Sequence, residues 1–263
     1  MDSGNGLLAA AAAVRRLRPD ADLVLSSAPD TLPWGPRSAE EVTELSLGCV
    51  RAAAAHRPDA LIVACNTASV HALDAIRAEL EPEIPVIGTV PAIKPAAVGG
   101  GPVAIWATPA TTGSPYQRGL IRDYAAGVDV TEVACPGLAD AVQHADPEAL
   151  DAAVAVAAGR TPHDVRAVVL GCTHYELIAE RILAAVRQPA APPPALFGSA
   201  DAVAAQALRR IGALPAPAAA ADADADADST GHLTVLLGGR EAALEPASLT
   251  YPEGRLLAVV SPA

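Results

Sequence analysis

Short unbroken apolar runs alternate along this chain with stretches whose apolar positions recur every three or four residues. The first pattern predicts buried strands and the second predicts amphipathic helices. Strands are expected over 21–27 (ADLVLSS), 60–65 (ALIVAC), 85–90 (PVIGTV), 102–107 (PVAIWA), 128–135 (VDVTEVAC), 167–172 (AVVLGC) and 232–239 (HLTVLLGG). Helices are expected over 6–17, from Ser38 to about 55, over 72–80, 113–126, from Pro147 to about 158, after Cys172 to about 187, and from Ala200 to about Ile211. Ser38 followed three residues later by Glu41 is the signature of a capping box. The Pro-rich stretch 188–197 reads as a stiff connector that delivers a short strand. Because polar residues do not alternate within the apolar runs, the strands read as parallel and covered on both faces. Such sheets place ligands at the carboxyl ends of their strands.

The scheme runs once through each half of the chain, which predicts an α/β protein of two pseudo-symmetric lobes. Each lobe is a mostly parallel sheet flanked by helices, with the active site expected in a cleft between them. The first lobe is expected to hold residues 1–90 and about 195–212, and the second 91–190. Residues 213–230 carry an Ala-Asp repeat without apolar periodicity and read as a disordered linker. Residues 231–263 read as one more strand and a tail that the pattern does not place.

Composition narrows the function. Half of the 263 residues are apolar, enough for a core, yet no apolar run is long enough to span a bilayer. Met1-Asp2-Ser3-Gly4 is polar and acidic, unlike a secretion signal, and a cytoplasmic location is expected. A net charge of −12 argues against nucleic acid and anionic membranes as partners, while leaving a small anionic substrate open. The four cysteines, 49, 65, 135 and 172, form no Cys-x-x-Cys pair, which argues against zinc ribbons and thioredoxin-like sites. The common fate of such a thiol is to be a small buried hydrophobe, and Cys49 and Cys135 are read that way. His56, His71, His144, His163 and His232 show no metal-ligand spacing.

Two stretches resist the bland reading. In LIVACNTASV (61–70) a buried strand runs into Cys65 and the polar pair Asn66-Thr67 before a helix. In VVLGCTHYEL (168–177) a strand runs into Cys172, Thr173 and His174. A turn that opens a helix stabilises a thiolate and offers N–H groups to a carboxylate. Two thiols facing one carbon from opposite sides would be the geometry of racemisation: one removes the α-proton and the other returns a proton to the opposite face. Their ordinary pKa, about 8.5, is easily tuned for acid–base work. Asp2-Ser3-Gly4 reads by default as a disordered start; its functional reading is a polar turn with Asp2 as an auxiliary acid/base, and Pro33-Trp34-Gly35 alone reads as an ordinary turn.

With ACNTAS (64–69) and GCTHY (171–175) on the page, the chain resembles the glutamate racemases of the cofactor-independent aspartate/glutamate racemase superfamily. Asp2-Ser3-Gly4, PWGPRS (33–38), PVIGTVPAIKPA (85–96), ATPATTGSPY (107–116) and ACPGL (134–138) resemble further family segments, and the resemblance spans about residues 2–210. It implies two α/β lobes, no pyridoxal phosphate and no metal, glutamate as substrate, D-glutamate for peptidoglycan synthesis as product, and a homodimer. It also implies that Cys65, assisted by Asp2, serves D-glutamate, while Cys172, assisted by His174, serves L-glutamate. Substrate contacts carry over to Asp2, Ser3, Trp34, Gly35, Asn66, Thr67, Thr173 and His174. The chain departs from the family in several places. The family has an apolar strand before Asp-Ser-Gly, whereas here Met1 stands directly before Asp2. Leu7 replaces a glycine, Trp34 a tyrosine, and Gln143 a glutamate carried by many relatives. Trp34 and Gln143 motivate a rival substrate, such as aspartate or a hydantoin. Other rivals are a thiol hydrolase built on Cys172 and His174, and a non-catalytic descendant that binds an amino acid or a protein partner.

Overall fold

A computed structural model of the chain describes residues 1–189, 191–217 and 231–259. In chain order its elements are α1 (Leu7–Leu17), β1 (Leu23–Ser27), α2 (Ala39–Ala54), β2 (Leu61–Val63), α3 (Asn66–His71), α4 (Leu73–Leu80), β3 (Val86–Gly88), α5 (Ile93–Val98), β4 (Val103–Ala107), α6 (Pro115–Tyr124), β5 (Val130–Ala134), α7 (Leu138–His144), α8 (Pro147–Gly159), β6 (Ala167–Leu170), α9 (Ala179–Val186), β7 (Ala195–Phe197), α10 (Ala200–Arg210), β8 (Leu233–Leu237), β9 (Arg240–Ala242) and α11 (Pro252–Ala258). A six-residue 3₁₀ turn, Thr173–Ile178, separates β6 from α9. The elements gather into two compact units, Met1–Thr89 with Ala200–Ala263, and Val90–Ser199. Among the described residues no helix is long and apolar enough to cross a membrane.

In the first unit β1 and β8 are parallel neighbours, β9 closes the edge antiparallel to β8, and β2 pairs with β3 in parallel. The chain start lies between these two groups of strands. Asp2 forms a parallel bridge with Ser27 and donates its N–H to Ser26 O at 3.2 Å, while Ala64 N–H donates to Met1 O at 2.9 Å. The Met1 amino group donates to Ile62 O at 2.7 Å. Met1 and Asp2 therefore take up a strand position at the carboxyl ends of β1 and β2.

Helix α1 is buried from Leu7 to Ala13, on every face, because it packs against α10 and α11. Its alanines carry no side-chain bulk to hold those neighbours off. The basic end is held as well: Arg15 donates to the carbonyls of Pro19 and Ala21 at 2.6 and 2.8 Å. Ser38 and Glu41 form the expected capping box on α2, with the side chain of each accepting from the other's backbone N–H.

The C-terminal segment, which the sequence pattern did not place, belongs to the first unit through β8, β9 and α11. Gly238 and Gly239, with φ of +55° and +77°, form the two-residue hairpin loop between β8 and β9. Only residues that tolerate positive φ make that turn, and the run expected as one strand over 232–239 ends there for that reason. The segment reaches back to the chain start through Ser248, whose hydroxyl donates to Asn5 Oδ1 at 2.7 Å in a buried bond. Of the expected linker, 213–217 are irregular, with Ala216 N–H donating to Leu17 O at 2.8 Å. The remainder, 218–230, lies outside the described residues.

The second unit is a four-stranded parallel sheet in the order β5-β4-β6-β7. All five residues of β4 are buried, and the Trp106 indole N–H donates to Thr161 Oγ1 at 2.8 Å. Strand β7, which the sequence reading attached to the first lobe with the helix after it, pairs with β6, and the chain passes to the first unit at Ser199–Ala200.

Strand β6 runs directly into Gly171, whose N–H donates to Trp106 O at 2.7 Å. A Cβ at position 171 would lie 2.8 Å from that same oxygen and 3.1 Å from the Ala107 methyl. The contact is with backbone, which cannot turn aside as a flexible side chain would. Gly171→Ala is expected to destabilise the protein by about 1–3 kcal/mol through overpacking, seen as a lower midpoint in urea unfolding. An unchanged midpoint would show that the strand end has slack.

Candidate functional site

The first unit builds its part of the site at the end of β2. Cys65 is extended (φ −142°, ψ 119°) and directly precedes the first turn of α3, so the strand hands a thiol to the start of a helix. The backbone behind it is bracketed by two hydroxyls. Thr89 Oγ1 donates to Val63 O at 2.7 Å, and Ser69 Oγ donates to the same oxygen at 3.3 Å while accepting Thr89 N–H at 2.9 Å. Ser69 N–H donates to Cys65 O at 2.8 Å. Cys65 and Asn66 are buried and Thr67 is half-buried.

Asp2 and Ser3 lie in the same unit, both buried, with Ser3 Oγ donating to Asp2 Oδ1 at 3.3 Å. The Ala64–Met1 hydrogen bond joins the residues immediately before Cys65 and Asp2, so both enter the site from adjacent strand positions. Trp34 is buried in the apolar cluster that also holds Met1, Ala28 and Cys65. Its indole N–H donates to Thr31 Oγ1 at 2.8 Å, so Trp34 spends its donor on its own loop. Gly35 follows in a turn closed by Arg37 N–H on Trp34 O at 3.1 Å.

The second unit repeats the device. Cys172 has nearly the same backbone conformation as Cys65 (φ −140°, ψ 134°) and again directly precedes a helical turn. Thr173 and His174 on that turn are buried, whereas Cys172 is partly exposed. His174 Nδ1 lies 3.9 Å from the Cys172 sulfur, and Nε2 lies 3.2 Å from Gln143 Oε1 on α7. An amide oxygen only accepts, so Nε2 is the donor of that pair. In a neutral ring with its proton on Nε2, the lone pair of Nδ1 is turned toward the Cys172 sulfur.

The structure thus brings Asp2, Ser3, Trp34, Gly35, Cys65, Asn66 and Thr67 together in the first unit, and Cys172, Thr173 and His174 in the second. The remaining thiols are structural, as expected. Burial pushes the Cys49 thiol up to about 11 and the Cys135 thiol up to about 12. The Cys135 S–H donates to Val133 O at 3.4 Å, and Tyr175 donates its hydroxyl to Cys135 O, also at 3.4 Å.

Sequence reasoning missed the bracket of Ser69 and Thr89. Thr89 fell inside the run expected as a strand over 85–90, and nothing local linked it to Ser69. Gln143 stood out as a departure from relatives, but its contact with His174 spans 31 residues of chain and no local pattern shows it.

A two-unit α/β protein that sets a thiol at the same kind of strand end in each unit has the parts of a two-base isomerase. Comparison with known proteins gives the same class. The family model described as Asp/Glu/Hydantoin racemase matches residues 7–207. A glutamate racemase of Roseiflexus sp. is 37% identical over 191 residues, covering 70% of this chain and 69% of that protein. Another, from Herpetosiphon aurantiacus, is 35% identical over 218 residues, covering 81% and 83%. The crystal structure of Escherichia coli glutamate racemase in complex with L-glutamate and the activator UDP-MurNAc-Ala superposes with a TM-score of 0.73 at 29% identity, covering 94% of this chain and 88% of that one. The chain belongs to the Asp/Glu/Hydantoin racemase family, and it is an isomerase, which sets the hydrolase reading aside.

Two outcomes follow from this geometry. Brief treatment with iodoacetamide should label Cys172 well before Cys49 and Cys135, because the latter two are buried and held protonated. Peptide mass spectrometry reads the order, and early labelling at Cys135 would contradict it. Gln143→Glu would put a carboxylate against Nε2 and favour the protonated ring. A ring that must be neutral to accept a proton is then lost at higher pH than before. The acid limb of the kcat/KM profile should move upward by about one unit or more, and an unmoved limb would show that His174 does not act through this contact.

Proposed function

We propose that this racemase interconverts L- and D-glutamate by a two-thiol mechanism, supplying D-glutamate for peptidoglycan synthesis. The observation that carries the reading is the repeated strand-end cysteine, one per unit, with matching backbone conformation and a polar turn behind each. The glutamate racemases at 35–37% identity support the substrate, as does the E. coli structure solved with L-glutamate.

In this reading Cys172, as thiolate, takes the α-proton of L-glutamate, and the electron pair of the broken C–H bond stays on the α-carbon. Cys65, as thiol, then delivers a proton to the opposite face and becomes the thiolate. The reverse direction exchanges these roles, so the protein returns to its starting state only after a proton moves between the sulfurs and solvent. Asp2 assists Cys65 and His174 assists Cys172 as auxiliary acid/base groups. Ser3, Trp34, Gly35, Asn66, Thr67 and Thr173 contribute to binding, Trp34 by its ring surface, since its N–H is engaged elsewhere. No cofactor or metal enters the scheme. A cytoplasmic location and a homodimer belong to the same proposal, the first resting on composition and the second on the family resemblance.

Incubation with L-glutamate in deuterium oxide should give D-glutamate carrying α-deuterium, read by mass spectrometry and chiral chromatography. Cys65→Ala and Cys172→Ala should each lower racemisation by at least about a thousandfold, since each removes the acid or base for one face. Full racemisation by either variant would end the two-thiol reading. A parallel trial with L-aspartate tests the rival substrate, and faster turnover of aspartate would replace glutamate in the assignment.

A further inference from the structure

We propose that Glu176 is a positioning residue for the turn that bears Cys172 and His174, fastening it to the Gly198–Ser199 peptide at the carboxyl end of β7. The turn has a specific need for fastening. It is a 3₁₀ helix six residues long, and 3₁₀ runs beyond three or four residues are uncommon because their hydrogen bonds are poorly aligned. Its position must therefore be set from outside. Two ties are neutral: His174 to Gln143, and Tyr175 to the Cys135 carbonyl. The third is charge-assisted. Glu176 Oε1 accepts from both Ser199 N–H and Ser199 Oγ–H, each at 2.8 Å. Hydrogen bonds to an ionised acceptor are about twice as strong as neutral ones.

Residue 198 is shaped for this contact. A Cβ there would collide with the Glu176 carboxylate, and glycine leaves the space to it. Ser199 is itself buried. Strands β6 and β7 are paired neighbours, so the clamp joins the two carboxyl ends of one parallel pair, of which β6 leads into Cys172. Ser199 is also the last residue before the chain passes into the first unit. Glu176 thus ties the thiol-bearing turn to the connecting peptide. The plainer alternative is that the carboxylate only stabilises the crossing and leaves the sulfur's position untouched.

The kinetic half of the test rests on the proposed glutamate racemisation, and the labelling half does not. Glu176→Ala should change the rate of iodoacetamide labelling at Cys172 several-fold while leaving Cys65 as it was, and it should lower kcat by about ten- to a hundredfold, the scale of a small misplacement of a reacting group. The loss should be one-sided in mechanism. Starting from α-deuterated L-glutamate, the primary isotope effect should rise, because abstraction by the displaced Cys172 becomes limiting. Starting from α-deuterated D-glutamate it should fall, because abstraction by Cys65 is no longer the slow step.

Gly198→Ala displaces the carboxylate without touching it and should reproduce the same pattern. Added to Glu176→Ala, it should cause little further loss, as expected for two changes acting through one contact. Glu176→Gln, which keeps an acceptor oxygen, should recover most of the activity. Lower melting temperatures without any change in Cys172 labelling would overturn the proposal in favour of a structural clamp. Equal changes in both isotope effects would overturn it too. Wild-type protein that exchanges no α-hydrogen from glutamate would sink the functional reading instead, and the labelling comparison would still decide the role of Glu176.

Discussion

In the second unit the backbone that leads into Cys172 is held against the neighbouring strand by a short hydrogen bond. Gly171 N–H meets Trp106 O at 2.7 Å, closer to the neighbouring strand than any side chain at 171 would allow. The bond extends the β4–β6 ladder by one residue and ends it immediately before Cys172. Trp106 is itself fully buried, with its indole N–H on Thr161. The hydrophobic interior of the sheet is thereby connected to the backbone that carries the Cys172 thiol.

The first unit reaches the same end by different means. Cys65 follows a three-residue strand, and its support comes from hydroxyls on neighbouring segments and from the chain start on the other side. That start is secured in turn by the C-terminal segment, since β8 pairs with β1 and Ser248 reaches Asn5. Residues 231–259 thus belong to the support of Asp2, which explains why a stretch beyond the region matched by the family model still packs as core. Bonds between positions this far apart in sequence add loop-closure cost, and the buried faces of α1, α10 and α11 offset it.

The two thiols are alike in backbone and unlike in surroundings. Cys65 is buried among apolar groups, with Trp34 in the same cluster. Cys172 is partly exposed and has an imidazole within 4 Å. Gln143 meets His174 through a neutral amide oxygen and so puts no negative charge beside the ring. Trp34 is buried, and its indole N–H goes to Thr31.

The local order of apolar and polar residues was sufficient for much of this protein. It placed the parallel strands, the capping box on α2, both strand-end cysteines and the structural standing of Cys49 and Cys135, because each depends on neighbours within a few positions along the chain. The hairpin at Gly238-Gly239 was equally local, and was passed over only because its glycines close an apolar run. Tertiary structure alone decided the rest: that β7 pairs with β6, that Met1 and Asp2 fill a strand position between β1 and β2, that the C-terminal segment completes the first unit, and which distant partners Gln143, Ser69, Thr89 and Glu176 find. These features rest on hydrogen bonds between residues far apart in the chain. A polar side chain in the sequence carries no mark of which distant partner will satisfy it once water is excluded.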